Sequence, residues 1–484
     1  MSLTQRKLVF CVGLERLAGV HLMKTVLLID DEPVFREVLG QLLEPHGWKI
    51  LEAGDGEEGL TMAARHKPDL VLCDLMMPRC NGFAVTRAIR NDPAIRHTRI
   101  IITTGSTYAT DRIHAFESGA DEFLLKPIPL KDLLAAIERV TAGRISPATS
   151  QADGESVSAI QATLPPARVT SAAGGDGNNF LRFWGVRGSI PTPGAGTIFY
   201  GGNTSCVEVR ADGEIIILDA GSGIRPLGLH LATEFKGAPL HLTLLISHTH
   251  WDHIQGFPFF LPAYNPVNKV HVLGYEGSRQ GLESILSAQM ESPYFPIGLK
   301  QMPGNIKVTE LKEFEFDVGR VKVKATFTNH PGICIGYRLE TSSGSIAYLP
   351  DNEPFQRLRS LPSHATGDAE QSAAYARRQD QRLIDFAKDV DVLVIDAQYN
   401  DREYQKHVGW GHGCLDDVVA LAILANVKRL FLFHHDPGHD DAEVSRMVAW
   451  ARQIVSEKKS PLRVEAAREG MEVFLKPERK SKSA

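Results

Sequence analysis

The chain has 484 residues, 43% hydrophobic and 23% charged, a size and mix that imply a folded protein of roughly two or three domains rather than a disordered or fibrous chain. Its net charge of −5 argues against a nucleic-acid carrier, which would usually be basic, and no apolar run is long enough to span a bilayer. Neither DNA nor a membrane is therefore expected as a partner, and the scattered cysteines, without a CxxC pair, read as reduced core thiols of a cytoplasmic protein.

Residues 1–22 read as a disordered tail or a start-site artefact. Glu15 and Arg16 break the apolar run there, and Met23 stands directly before a strong strand. From 23 to 143, short β-rich runs ("TVLLI", "LVLC", "RIIIT", "FLLK") alternate with helical stretches. In one of these, Leu130, Leu133, Leu134 and Ile137 keep the spacing of a helix face. The alternation predicts a parallel doubly wound sheet, whose strand C-termini share one crevice. Asp30 and Asp31 end the first strand, Asp74 and Thr104 end later ones, and Lys126 ends the last. Carboxylates gathered on one edge repel unless a hard cation such as Mg²⁺ joins them. With the Lys126 ammonium and the Thr104 hydroxyl, the edge reads as an anion-handling site that carries its own metal.

The stretches "VLLIDDEP", "LVLCDLMMPRCNG", "IIITTGS" and "FLLKPIP" resemble the response-regulator receiver domain, which has the flavodoxin-like strand order. The resemblance implies that Asp74 is the phosphoacceptor and a sensor histidine kinase the phosphodonor. It also implies that Asp31, Asp74 and the Met76 carbonyl hold Mg²⁺ with help from Asp30, and that Thr104 and Lys126 bind the phosphoryl oxygens. Phe123 stands where the family often has a switch aromatic.

Residues 144–178, rich in Ser, Ala, Gly and Pro, read as a flexible linker. Such a linker cannot transmit a rigid push, so control by the receiver would have to act through docking or receiver dimerisation; the domain beyond it is expected to be active by itself. A homodimer is left open. Residues 179–477 read as a second domain in which strands dominate. Within it 356–382 is a polar, partly helical insertion, and 478–484 is a basic tail.

In "LTLLISHTHWDHIQGFPFF", His248, His250, Asp252 and His253 crowd the loop after a buried strand. Imidazole with carboxylate suits Zn²⁺, Mn²⁺ or Fe rather than Ca²⁺, and ligands this close can start two neighbouring metal sites. His330, Asp351 and His434 each follow a strand in the same way.

The HxHxDH motif and these strand-end residues resemble the metallo-β-lactamase fold, so the whole chain is expected to be α/β: a flavodoxin-like receiver followed by an αββα sandwich. The resemblance implies one metal on His248, His250 and His330 and another on Asp252, His253 and His434, with Asp351 bridging and His435 as the competitor for the last place. "FWGVRGSIPTPG", "YGGNTSCVEV", "YLPDNE", "DAQY", "GWGHG" and "LFHHDP" look like the branch near ribonuclease Z and the cyclic phosphodiesterases. That likeness implies a proton-donating pair, Asp396 with His412. Arg187, Ser189, Asn203, Thr204 and Ser205 lie in Gly-rich loops and could hold a substrate phosphate or cap turns. The expectation is a two-component response regulator whose output domain hydrolyses a small phosphodiester with two divalent ions, Zn²⁺ or Mn²⁺. The rivals are a lactonase or thioesterase on the same fold and a metal-bound sensing module without turnover.

Overall fold

The computed structural model describes residues 24–106, 108–142, 179–275, 281–358 and 369–475. The expected N-terminal tail, the linker, residues 359–368 of the insertion and the basic tail lie outside them.

The first domain is a five-stranded parallel sheet in the order β2-β1-β3-β4-β5. Its strands are β1 (Lys24–Ile29), β2 (Trp48–Ala53), β3 (Leu70–Asp74), β4 (Arg99–Thr104) and β5 (Glu122–Leu125). Helices α1 (Pro33–Leu43), α2 (Gly56–His66), α3 (Gly82–Asn91), α4 (Ala109–Glu117) and α5 (Leu130–Ala142) cover both faces. That cover explains the near-continuous apolar runs: β3 is buried at every position because a parallel sheet has no wet side.

The second domain has two seven-stranded sheets. The first runs β11-β10-β9-β8-β7-β6-β19, from β6 (Phe180–Gly185), β7 (Cys206–Ala211), β8 (Glu214–Leu218), β9 (His241–Ile246), β10 (Lys269–Gly274), β11 (Asn305–Glu310) and, last in the chain, β19 (Glu472–Phe474). The second runs in chain order through β12 (Glu315–Val318), β13 (Val321–Phe327), β14 (Ile335–Thr341), β15 (Gly344–Leu349), β16 (Val392–Asp396), β17 (Arg429–Phe433) and β18 (Arg463–Ala466). The β7–β8 hairpin turns on Asp212 and Gly213, both at positive φ (55° and 92°), as a two-residue primed turn requires.

Helices α6 (Ile224–Phe235), α7 (Trp251–Ile254) and α8 (Leu282–Ala288) belong to the first half. The second half adds α9 (Phe355–Leu358), α10 (Ala369–Phe386), α11 (Asp401–Tyr404), α12 (Leu415–Leu424) and α13 (Asp441–Glu457). Apolar clusters bury α6 on one sheet and α12 and α13 on the other, with a third between the sheets. No helix among the described residues is long and apolar enough to cross a membrane.

The two domains are packed together. One buried apolar cluster runs from receiver residues Leu27, Val71 and Phe83 into the sandwich at Tyr275, Val321 and Phe431. Tyr275 stacks edge-on against Phe314 and Phe327, and its hydroxyl donates to the Met77 carbonyl at 2.7 Å. The insertion's helix α10 turns Ala373, Ala376, Gln379 and Leu383 inward and reaches the receiver. Tyr275→Phe should keep the ring packing but strand the buried Met77 carbonyl, at about 1–3 kcal/mol. Thermal or urea unfolding of the full chain should therefore begin earlier in this variant, with both transitions unmoved if the contact contributes nothing.

Candidate functional site: a phosphoacceptor crevice and a metal centre

The receiver crevice forms where the sheet's strand ends converge. Asp30 follows β1, Asp74 closes β3, Thr104 closes β4 and Lys126 follows β5. All four are buried. Lys126 Nζ lies 2.7 Å from Asp30 Oδ2 and 3.2 Å from Asp74 Oδ1. Burial pushes the Asp74 carboxyl well above its usual range, and pushes Asp31 up to about 6 against the pull of Arg382. Three carboxylates facing one ammonium leave surplus negative charge, and oxygen donors in that number fit Mg²⁺.

The crevice is covered from the other domain. On α10, Tyr375 leaves no room for a side chain at Gly105, where a Cβ would stand 2.1 Å from the tyrosine hydroxyl. Gln379 Nε2 donates to Glu32 at 3.1 Å. Arg382 approaches Glu32 at 3.3 Å and Asp31 at 3.9 Å.

The second cluster assembles the expected ligands from four strand ends. His248, His250, Asp252 and His253 follow β9, His330 follows β13, Asp351 follows β15 and His434 follows β17. Asp351 stands at the middle. Its Oδ2 is 3.7 Å from His248 Nε2 and 3.6 Å from His330 Nε2. Its Oδ1 is 3.3 Å from His253 Nε2 and 3.4 Å from His434 Nε2. His250 Nδ1 is 2.9 Å from His330 Nε2, and Asp252 Oδ2 is 3.0 Å from His434 Nε2. The two carboxylate oxygens thus face two separate groups of donors. His434 turns into this cluster, whereas His435 turns away and bonds the Ala467 carbonyl at 3.0 Å.

The donor set fits two divalent cations. His248 Nε2 and Asp351 Oδ1 are buried without a hydrogen-bond partner. Burial holds His248 and His330 well below the usual histidine range, so they present neutral imidazoles. Burial opposes ionisation of Asp351, but His434 and His253 outweigh it and hold the carboxyl well below its usual range. The remaining ring nitrogens are tied down, as ligating histidines require. His330 Nδ1 donates to the Gly411 carbonyl at 2.9 Å, and His434 Nδ1 to Gln398 Oε1 at 3.0 Å. Gly188 is obligatory beneath His434, because a Cβ there would stand 2.4 Å from the ring.

Beside the cluster, His412 Nδ1 lies 3.0 Å from Asp396 Oδ2, and its ring stacks on His434 at 5.0 Å. Asp396 is fixed in turn by the backbone N–H groups of Gln398 at 2.9 Å and Gly413 at 3.1 Å. Burial opposes protonation of His412, but Asp396 outweighs it and pushes the imidazole up to about 9. Exposed His250, Trp251 and Trp410 mark the open side.

Sequence reasoning missed Asp219, Gln398 and Glu353. Asp219 closes the "IIILD" run after β8, is fully buried, and receives His253 Nδ1 at 2.8 Å, the Ser247 backbone at 2.7 Å and the Tyr348 hydroxyl at 2.7 Å. Its strand-end position was the available signal. Arg187 is a correction. Of the two readings left open for it, holding a phosphate or capping turns, the first does not fit: it is fully buried and donates to the carbonyls of Gly201 at 2.8 Å and His439 at 2.7 Å. Its planar fork bonds several carbonyls at once where two loops meet. Asn203 and Ser205 also turn inward: Asn203 bonds Glu469 and Ser222, and Ser205 is fully buried. Ser189 is exposed, and its N–H donates to Asp252 Oδ2 at 2.7 Å.

Comparison with known proteins agrees with both halves. Residues 26–138 match the response regulator receiver domain, and residues 215–435 match the beta-lactamase superfamily domain. Protein PilH of Pseudomonas aeruginosa is 37% identical over 121 residues, which are 25% of this chain and 100% of PilH. The chain spans 48% and 61% of two longer curated relatives. Among solved structures, the metallo-beta-lactamase fold protein YhfI of Bacillus subtilis is similar over 61% of this chain and 99% of its own (15% identity, TM-score 0.43). Human tRNase Z, short form, is similar over 62% of this chain and 100% of its own (19% identity, TM-score 0.39). The chain belongs to the response regulators, with a receiver domain joined to a domain of the metallo-β-lactamase fold.

Proposed function

We propose that the second domain is a dinuclear metal-dependent phosphodiesterase acting on a small phosphodiester, under the control of a receiver that a histidine kinase phosphorylates on Asp74. The observation that carries this reading is the Asp396–His412 pair set beside the histidine and carboxylate cluster. His248, His250 and His330 would hold one divalent ion, Asp252, His253 and His434 another, with Asp351 between. Such ions supply a lowered pKa for water and charge for the developing oxyanion. The chain's own contribution is proton delivery. Asp396 takes His412 Nδ1 and keeps the ring protonated, so Nε2 is the nitrogen free to protonate a departing alkoxide. A thioester expels a thiolate, which needs such an acid less, so the pair favours an ester that leaves as an alkoxide over that rival. Trp251, between His250 and Asp252, and Trp410, two residues before His412, are 78% and 59% exposed and offer apolar surface to the organic part of an ester.

The test is a screen of the full chain with Mn²⁺ or Zn²⁺ against bis-p-nitrophenyl phosphate, cyclic nucleotides, lactones and thioesters. Turnover confined to lactones or thioesters would reject the reading. His412→Ala should retain its metal but lose about 10²- to 10⁴-fold on esters with alkoxide leaving groups, and far less on p-nitrophenyl esters. Equal losses on both would remove His412 from the acid role. Asp351→Asn should weaken metal retention by at least about 10- to 100-fold, the loss typical of even an outer-sphere partner. Elemental analysis after dialysis reads this directly, and wild-type metal content in that variant would contradict the bridging role.

A further inference from the structure

Two loops carry metal-cluster residues towards the receiver: Asn329–Gly332, which holds His330, and Asp351–Glu353. They are laced together. Asn329 N donates to Asn352 Oδ1 at 3.0 Å, Asn329 Nδ2 to the Glu353 carbonyl at 2.6 Å, and Glu353 N to the Asn329 carbonyl at 2.8 Å. Glu353 is fully buried. Its carboxylate accepts from Gly409 N at 2.8 Å, Gly411 N at 2.7 Å and the Tyr404 hydroxyl. Gly411 is the residue whose carbonyl holds His330, and it directly precedes His412. Glu353 therefore fixes both a metal-cluster histidine and the loop of the candidate acid.

A further donor to this carboxylate comes from the receiver. Tyr108, just before α4, places its hydroxyl 3.3 Å from Glu353 Oε2 and 3.2 Å from the Asn329 carbonyl. One turn on, Asp111 Oδ1 accepts from Gly332 N at 3.0 Å. Asp111 is tied back to the phosphoacceptor crevice: its other oxygen accepts from the Ser106 hydroxyl, and Ser106 N donates to Thr104 Oγ1 at 3.0 Å. Thr104, Ser106, Tyr108 and Asp111 are all buried, so water does not readily replace these bonds.

We propose that Tyr108 and Asp111 are positioning residues for the metal centre, supplied by the receiver, and that phosphorylation of Asp74 acts on the centre through them. The proposal rests on the hydrolase reading given above. A phosphoryl group on Asp74 offers Thr104 a strong anionic acceptor. Turning the hydroxyl towards it withdraws the acceptor from Ser106 N. A buried N–H left unpaired is costly, so Ser106 shifts and takes Tyr108 and Asp111 with it. Couplings between sites of this kind change an equilibrium by about 5- to 150-fold. The domain cut from its receiver loses the Tyr108 donor and the Asp111 acceptor and should differ from the full chain.

The test uses the full chain loaded with Mn²⁺, with and without acetyl phosphate and Mg²⁺, and Asp74→Asn as control. Four quantities are read: Asp74 phosphorylation by intact mass, kcat and KM on bis-p-nitrophenyl phosphate, and hydrogen–deuterium exchange of residues 326–334 and 351–355. In the wild type, phosphorylation should change kcat and the exchange of both segments. Tyr108→Phe and Asp111→Ala should be phosphorylated normally, lower kcat about threefold to tenfold, the net worth of one hydrogen bond, with KM and metal content nearly unchanged, and lose the response. Asp111→Asn, which keeps an oxygen for Gly332 N, should restore it. A wild-type response that persists in Tyr108→Phe and Asp111→Ala overturns the proposal, as does phosphorylation without any change in exchange. A chain inactive on every phosphodiester whose exchange still responds through Asp111 would instead reject the hydrolase reading and leave the coupling standing.

Discussion

The arrangement depends on one carboxylate, Asp351. It is buried among four histidines, with each oxygen facing a different pair at 3.3–3.7 Å. An ionised group in such a place is tolerable only if paired, and the surrounding imidazoles and the cations they can hold provide the pairing. Everything that aims those imidazoles follows from that requirement. Asp219 fixes His253, Gln398 fixes His434, and the Gly411 carbonyl fixes His330. The folding reason is the sandwich itself, whose strands deliver polar loop residues to one edge while the sheets between them stay apolar.

The same requirement explains why two domains that could have been merely tethered are joined tightly. Each covers the polar edge of the other. The receiver's α4 start closes over the loops of His330 and Asp351, while the second domain's α10 closes over Asp31, Glu32 and Gly105. Both contacts cover strand-end loops rather than sheet faces, which is where a change in charge on one side can be felt on the other. Coupling of this kind does not require a stiff linker.

Much of the site could be read from the sequence because its residues are dense or regularly placed. HxHxDH crowds four candidate ligands into six positions, and each remaining candidate lies within three residues of a strand end. The receiver's acidic set is readable for the same reason. What could not be read depends on side-chain direction or on contacts between distant segments. Arg187 has the right chemistry for a phosphate, but burial turns it to carbonyls. Asn203 and Ser205 fall in glycine-rich loops that face inward. Asp219 lies at a strand end like the ligands, but a lone aspartate there carries no spacing signal. Tyr108 and Glu353 are 245 residues apart, and no local pattern announces their meeting.

The central claim is that the second domain works with two ions held on either side of Asp351. The most direct measurement is a titration of metal-depleted full chain with Mn²⁺, following bound metal and phosphodiester turnover together. With excess Mg²⁺ present to occupy the receiver crevice, two Mn²⁺ ions should bind per chain, and turnover should rise with the second equivalent. Saturation at a single ion with full turnover, or turnover independent of metal, would contradict the account.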